Sequence, residues 1–202
     1  MHVGFGFNGT YLSTYPFFVE AYLRSYSDTV LPVAGGFHFT LPGEPVELDG
    51  LRSIARPGDR IITYTWRLHD GSVVNDARAR IIYDKPGLYS EELVVQTNAG
   101  AVGHDFAQVR VYDRHRGRKI ATGWVYHTPV RGIKPGTPVL FWNRLAGMIL
   151  PVTVDFGDGT TKQRAGPDVQ HAFADSGQYV VSFRGTGPNE EPVTVQTCVV
   201  VE

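Results

Sequence analysis

The fold is decided by the stretch Val154-Asp155-Phe156-Gly157-Asp158-Gly159-Thr160, which is followed by His171-Ala172-Phe173 and by Gly177-Gln178-Tyr179-Val180-Val181. An alternating apolar run ends at Phe156, an Asp-Gly turn follows it, and a Gly-x-Tyr tripeptide opens the next run. Alternation with a period of two around a tight reversal is typical of consecutive antiparallel strands. The stretch therefore predicts a small antiparallel β-sandwich.

Three landmarks of this stretch also occur in the first half of the chain. A glycine, an Asp-Gly pair and a Gly-x-Tyr tripeptide recur at offsets of 93, 88 and 90 residues: Gly43 and Gly136, Asp70-Gly71 and Asp158-Gly159, Gly87-Leu88-Tyr89 and Gly177-Gln178-Tyr179. A near-constant period of this size is too long for a solenoid repeat and is typical of domains in series. The sequence therefore predicts that one fold appears twice.

The quoted residues resemble the signature of the polycystic-kidney-disease (PKD) domain, which reads W-D-F-G-D-G, then H-x-Y, then G-x-Y-x-V. In the second repeat Val154 stands where the family has Trp, while the following Asp-Phe-Gly-Asp-Gly matches. In the first repeat Trp66 and Asp70-Gly71 match, but the inner Asp and Gly do not. The resemblance implies an all-β fold of two tandem Ig-like sandwiches, used as a non-catalytic extracellular module.

The repeat predicts one PKD-like sandwich over residues 40–113 and another over 130–202, with a linker or bridging strand over 114–129. Residues 1–39 hold ten of the 21 Phe and Tyr residues, 11 Phe and 10 Tyr in all. Within this segment, Ser13 or Thr14 before Pro16 predicts one short helix towards Tyr26. Such an aromatic surface must be covered by the first sandwich, by another copy of the chain, or by an upstream domain of which it is the tail.

Composition excludes several classes of partner. The formal net charge is -1, so nothing favours nucleic acid, and the basic cluster at 114–119 is interpreted as a solvated turn. No uncharged apolar run reaches the roughly 18 residues of a membrane helix, so no membrane insertion is expected. Residues 1–4 do not resemble a secretory signal, and we expect any export signal to lie upstream. The single cysteine, Cys198, allows no intrachain disulfide.

No set of residues predicts a reaction. Asp155-Phe156-Gly157 spells the magnesium motif of kinases, but the other kinase motifs are missing, as are the serine-hydrolase elbow and the zinc-peptidase motif. The seven histidines lack ligand spacing. We expect His171 to form a hydrogen bond within the fold, beside the turn at Asp158. The chain itself is therefore predicted not to be an enzyme, with no catalytic residue.

Calcium is the one cofactor that the residues suggest, because clustered oxygen ligands on loops suit hard cations. The candidate ligands are Asp49, Asp59 and Asp70, although Asp-Gly pairs also serve turn geometry.

Strand parity predicts where several side chains of the repeats point. Counting in steps of two from Tyr89 places the Glu91 carboxylate on the inward side. There we expect either that Arg78 or Arg80 neutralises it or that the strand bulges. The same count places alternate residues of the last strand inward: Val195, Thr197, Val199 and Val201.

Exposed aromatic rings offer small sandwiches a flat apolar surface for polymers. Trp124 and Trp142 are the candidates for such a ligand platform. The alternative is that both are buried at a seam between the two domains.

Three functions remain open at this stage. The first is an accessory module and spacer that binds a protein or polysaccharide surface in a larger secreted or cell-surface protein. The second is the C-terminal fragment of a secreted hydrolase whose catalytic domain lies upstream. The third is a structural subunit of a cell-surface assembly, self-associating through the aromatic N-terminal segment. All three are extracellular or on the cell surface.

Overall fold

The computed structural model describes residues 30–113, 120–147 and 149–202, and every helix or strand assigned in these ranges is a β-strand. The predicted all-β class is confirmed. The predicted helix near Pro16 and the basic cluster at 114–119 lie outside the described residues.

The described chain divides into two compact units. One holds residues 30–84 and 90–109, and the other holds residues 85–89 and those from 110 onward. Strands β1–β9 are called here the first module and β10–β16 the second module.

In the first module, β5 pairs with β6 on one side and β8 on the other, and the sheet continues through β9 to β2. A separate pair, β3 with β7, and a short pair, β1 with β4, complete it. The strands are β1 (Val30–Leu31), β2 (Phe37–Thr40), β3 (Pro45–Asp49), β4 (Ile54–Ala55), β5 (Ile61–Arg67), β6 (Val73–Val74), β7 (Arg78–Ile82), β8 (Gly87–Thr97) and β9 (Val102–Val111).

The second module consists of a sheet with the order β10-β11-β14 and another with the order β13-β12-β15-β16. Its strands are β10 (Thr122–Thr128), β11 (Pro138–Ala146), β12 (Ile149–Asp155), β13 (Thr161–Ala165), β14 (Asp168–Ala172), β15 (Gly177–Thr186) and β16 (Pro192–Val201). Strand β10 lies in the segment 114–129, for which we predicted a linker or a bridging strand, and it pairs antiparallel with β11.

Aromatic side chains fill the centre of the second module. The ring of Phe141, on β11, lies 5.9 Å from that of Phe156 and 6.1 Å from that of Phe183 on β15. All three are buried. In the first module Trp66 is fully buried and its indole N–H donates to the Ala77 carbonyl at 3.2 Å, so the Trp shared with the PKD signature belongs to the core.

The recurring glycine and Asp-Gly landmarks make the same hydrogen bonds in both modules. The amide of Gly43 donates to the Tyr83 carbonyl at 2.9 Å, and that of Gly136 donates to the Phe173 carbonyl at 2.8 Å. The Asp70 carboxylate accepts hydrogen bonds from the Ser72 amide at 2.9 Å and from the Ser72 hydroxyl at 2.6 Å. The Asp158 carboxylate accepts the same two bonds, at the same distances, from Thr160. The repeat in the sequence is thus a repeat of hydrogen bonds.

The Gly-x-Tyr landmark anchors a corner of each module. The hydroxyl of Tyr89 donates to the Lys85 carbonyl at 2.9 Å, and that of Tyr179 donates to the Asp175 carbonyl at the same distance. A strand tyrosine that bonds back to the backbone just upstream is a feature of Ig-like sandwiches.

The burial of side chains along β16 confirms the predicted alternation of inward and outward residues. Its inward side chains, Val195, Thr197, Val199 and Val201, are all buried, while Cys198 is only partly buried.

Gly157 is required by a close backbone approach. Its φ is 78°, and an added Cβ would lie 2.6 Å from the carbonyl oxygen of Val180 on β15. The turn after β12 therefore has no room for a side chain at this position. In the first module His69 stands at the equivalent place, and its backbone is not in the left-handed region.

We expect Gly157→Ala to destabilise the protein more than Gly159→Ala. Both glycines have positive φ, 78° and 88°, so each alanine costs about 1 to 2 kcal/mol for its backbone conformation. Only Gly157 also meets another strand, which adds about 1 to 3 kcal/mol, because the Cβ at Gly159 would have nothing within 4 Å. Urea unfolding of the two variants measures the difference, and equal losses would contradict this account of the turn.

Candidate functional site

The candidate site is the outer face of the sheet formed by β10, β11 and β14. The inner face of this sheet enters the core through Val125, Phe141 and Val169, all buried. Because side chains alternate along a strand, the neighbours of these residues must point away from the core. The core contacts of the second module therefore decide which residues form the outer face.

Three aromatic side chains meet on this face. Trp124 lies opposite Arg144 in the antiparallel register, and Tyr126 lies opposite Trp142. The rings of Tyr126 and Trp142 are 4.8 Å apart at an angle of 53°. Trp124 is 46% exposed, and Trp142 is partly exposed. We call Trp124, Tyr126 and Trp142 the aromatic face.

Two features hold β10 in place beneath the aromatic face. At Gly123 the φ is 140°, and an added Cβ would collide with the Arg144 carbonyl, so only glycine allows β10 to approach β11 so closely there. Buried His127 has Nδ1 2.9 Å from the Pro129 carbonyl oxygen and Nε2 3.2 Å from that of Cys198 on β16. Burial lowers the His127 pKa, despite the two carbonyls acting to raise it.

One ion pair borders the aromatic face. Arg144 Nη1 donates to Asp168 Oδ1 at 3.0 Å, and the side chains are 42% and 54% exposed. The hydrogen bond to Asp168 is the largest of several effects that raise the pKa of Arg144.

The equivalent sheet of the first module has a charged face instead. On β3 and β7, Arg78 Nε lies 3.1 Å from Asp49 Oδ2, and Arg80 Nε lies 3.3 Å from Glu47 Oε1. Asp49 lies opposite Arg78 in the register, as Trp142 lies opposite Asp168. The two modules therefore share a fold but present different chemistry at matching positions.

The structure does not bring the three calcium candidates together as a metal site. Asp49 bonds to Arg78 and to the Leu51 amide, and Asp70 bonds to Ser72. Asp59 is partly buried. In the ranges that the structure describes, no group of three or more His, Cys, Asp or Glu residues is placed to hold a metal ion. Calcium binding stays a prediction.

Glu91 is fully buried, as its strand parity predicts. Its carboxylate accepts hydrogen bonds from the His69 amide at 2.7 Å and from the Tyr83 hydroxyl at 2.9 Å, and His69 Nδ1 lies 2.8 Å away. The rings of His69 and Tyr83 are stacked at 5.0 Å. The expectation that Arg78 or Arg80 neutralises Glu91 was wrong, because those two guanidinium groups pair with Asp49 and Glu47.

The hydrogen bond to Glu91 raises the pKa of His69, against the opposing effect of burial. The neighbouring Glu92 is also paired, with His104 Nδ1 at 2.6 Å and with Arg67 at 3.3 Å. Burial acts to raise the Glu92 pKa, but the bond from His104 and the charge of Arg67 bring it below its usual value.

His171 bonds within the fold, as predicted. Its Nε2 lies 2.6 Å from Asp158 Oδ2, and its ring stacks on Phe156 at 3.9 Å. Burial acts to raise the Asp158 pKa, but hydrogen bonds from Thr160 and His171 lower it. These contacts give His171 a structural role in the turn.

Sequence reasoning found Trp124 and Trp142 but missed three residues beside them: Tyr126, Arg144 and Asp168. Tyr126 was detectable, because it stands two residues after Trp124 in the same predicted strand. Arg144 and Asp168 meet only through the pairing of β11 with β14, 24 residues apart.

Comparison with known families accounts for both modules. The PKD domain matches residues 30–111 and, separately, residues 124–200. The chain belongs to the PKD domain family. It carries two PKD domains in series, and their Ig-like sandwiches are the two modules described above. PKD domains are non-catalytic modules. No curated protein sequence matches the chain.

Several solved structures resemble the chain at low identity. Fibronectin(III)-like modules of Clostridium thermocellum CbhA are 14% identical over 86% of this chain and 94% of that one, with a TM-score of 0.29. Carbohydrate-binding modules from the β-sandwich superfamily are 16% identical over 82% and 89%, with a TM-score of 0.35. Bacteroides ovatus SGBP-B, in complex with a mixed-linkage heptasaccharide, is 15% identical over 88% and 48%, with a TM-score of 0.30. At these TM-scores the likeness carries no argument about a ligand.

Across the described ranges, no helix has the length and apolar character that a membrane crossing requires.

We expect His69 to stabilise the first PKD domain more at acidic than at alkaline pH. Its folded pKa is raised above the unfolded value, so the contribution is complete below about pH 6.5 and is lost as the pH rises through the folded pKa. The free energy of unfolding of His69→Gln should therefore differ more from that of the parent at about pH 5.5 than at about pH 8.5.

The measurement is urea unfolding followed by the fluorescence of Trp66 in a Trp124→Phe, Trp142→Phe background, which restricts the signal to the first domain. His38→Gln is the control, because His38 lies on β2 of the same domain and burial lowers its pKa, so the sign of the pH dependence is reversed. A larger difference for His69→Gln at the alkaline pH would contradict the pairing with Glu91.

Proposed function

We propose that the second PKD domain binds a neutral polysaccharide through the aromatic face, and that the first PKD domain acts as its spacer. The observation that carries this proposal is the grouping of Trp124, Tyr126 and Trp142 on one solvent-facing side of a three-stranded sheet. Polymer binding by a flat surface requires neither a pocket nor a reaction centre, which suits a non-catalytic domain.

The rings favour a sugar polymer because their faces match the apolar faces of pyranose rings. Aromatic side chains provide a large, rigid apolar surface at a low entropic cost. Residues two apart on a strand are separated by about 7 Å, so Trp124 and Tyr126 form a row along β10, and Trp142 adds a contact across to β11. A polymer lying on this face contacts several rings at once, which strengthens weak individual contacts.

The comparison between the two domains supports assigning the ligand to the second. The matching face of the first domain carries the Asp49–Arg78 and Glu47–Arg80 ion pairs, and exposed pairs of this kind keep a surface hydrated. A spacer needs such a surface, whereas a polymer-binding domain needs rings that water solvates poorly.

The same proposal assigns a role to the larger protein that contains the two domains. A non-catalytic polymer-binding domain with a spacer serves to hold a partner domain near an extended substrate, and we place it outside the cell or on the cell surface. The partner domain is a hydrolase or another polymer-processing activity in the same protein.

The experiment is retention of the chain on a panel of insoluble neutral polysaccharides, comparing the parent with Trp124→Ala and Trp142→Ala. We expect each variant to bind about tenfold more weakly, because each loses one stacking surface worth about 1.4 kcal/mol. The depletion isotherm measures the dissociation constant.

Phe37→Ala is the matched control. Phe37 is 54% exposed and lies on β2 of the first domain, so its loss should leave retention unchanged. Retention of both Trp variants at the parent level, or loss of retention in the Phe37 variant, would overturn the assignment to the aromatic face.

A further inference from the structure

The ion pair beside the aromatic face bears on the charge of the polymer that the face accepts. Arg144 and Asp168 lie on adjacent strands, each with roughly half of its side chain exposed, at a distance of 3.0 Å. Asp168 lies opposite Trp142 in the register and Arg144 lies opposite Trp124. The pair therefore borders two of the three rings.

Arg144 keeps its place by contacts that do not involve Asp168. Its Nη1 also lies 3.2 Å from the carbonyl oxygen of Asn143 and 3.5 Å from that of Pro167. Removing the Asp168 charge should therefore leave the guanidinium group beside the rings.

Every other outward side chain on these three strands is uncharged. The alternation of burial places the following residues outward: Thr122, Trp124, Tyr126 and Thr128 on β10, Pro138, Leu140, Trp142 and Ala146 on β11, and Gln170 and Ala172 on β14. The formal charges of the outward side chains on these three strands thus sum to zero only because Asp168 cancels Arg144. One further cation reaches the end of the face, where the guanidinium group of Arg110 on β9 donates a hydrogen bond to the Thr122 hydroxyl.

We propose that Asp168 is a charge-selectivity residue, which neutralises Arg144 and so keeps the aromatic face from accepting polyanionic polymers. The proposal rests on the proposed function, since it assigns the charge of the same polymer. Stacking on the rings is insensitive to charges elsewhere on the sugar, so discrimination must come from charged groups beside the rings. An unopposed guanidinium group is the strongest attractor of carboxylates that a protein surface offers.

The experiment uses two soluble polymers with the same backbone, hydroxyethylcellulose, which is neutral, and carboxymethylcellulose, which is anionic. Affinity gel electrophoresis of the whole chain measures both dissociation constants. We expect Asp168→Asn to bind carboxymethylcellulose about fivefold more tightly than the parent. Its affinity for hydroxyethylcellulose should change by less than about twofold.

Three further variants separate selectivity from net charge. Glu47→Gln frees Arg80 on the matching face of the first domain and changes the net charge by the same amount, but no rings lie among the outward residues of β3 and β7. It should not gain affinity for carboxymethylcellulose. Arg144→Gln leaves Asp168 unopposed and should bind this polymer more weakly than the parent, and the Arg144→Gln, Asp168→Asn double variant should lose the gain.

The salt dependence gives an independent readout. The gain of Asp168→Asn should shrink between about 0.05 M and about 0.5 M salt, because charge interactions at an exposed site are screened. Binding of hydroxyethylcellulose should be nearly constant over that range.

The possible failures are distinguishable. If the parent binds hydroxyethylcellulose no better than Trp142→Ala does, the proposed function fails. If the parent binds this polymer through the rings but Asp168→Asn gains no more than Glu47→Gln, the selectivity role of Asp168 is overturned while the binding face stands.

Discussion

The burial of Phe141 is the constraint on which the site of this protein depends. Its ring contacts those of Phe156 and Phe183 in the centre of the second domain, and a strand cannot turn one residue inward without turning its neighbours outward. Trp142 is therefore presented to solvent by the same packing that stabilises the sandwich. A slip of one residue between β10 and β11 would bury the tryptophans and expose the core, so stability of the fold and availability of the rings are secured together.

The two domains show how much of a sandwich is fixed by its turns. The hydrogen bonds made by Gly43 and Gly136, and the tyrosine corners of Tyr89 and Tyr179, are nearly identical in length. Between these points the faces have diverged freely, with Asp49 in one domain where the other has Trp142. The shared residues determine the path of the backbone, and the outward positions between them carry the differences on which the two proposed roles rest.

The sequence was sufficient for what depends on local geometry. Alternation identified the buried side of β16 and the inward direction of Glu91, and the period of about 90 residues identified the duplication. It was insufficient where partners come from distant segments. Glu91 accepts hydrogen bonds from His69, which is 22 residues away and precedes β6 and β7, whereas the alternation alone suggested Arg78 and Arg80, which are nearer in the sequence. Likewise, the sequence left open which sandwich the strand around Trp124 would join. The pairing of an edge strand depends on which neighbouring strand is available, and its own residues do not reveal that.

The Glu91 cluster has a consequence for how these domains can change over generations. The positions of His69, Tyr83 and Glu91 correspond in the second domain to Gly157, Phe173 and Val181, so a polar trio in one copy is an entirely apolar or glycine trio in the other. A single replacement at His69 or Tyr83 would remove a partner of the buried carboxylate, and Glu91→Val would remove the acceptor that both residues share. The effect of a replacement at one of these positions therefore depends on the residues at the other two, so the positions are epistatic. An ancestral domain could change from one set of three residues to the other only through poorly folded intermediates or by near-simultaneous replacement. Sibling domains should therefore carry one set or the other, with few mixtures.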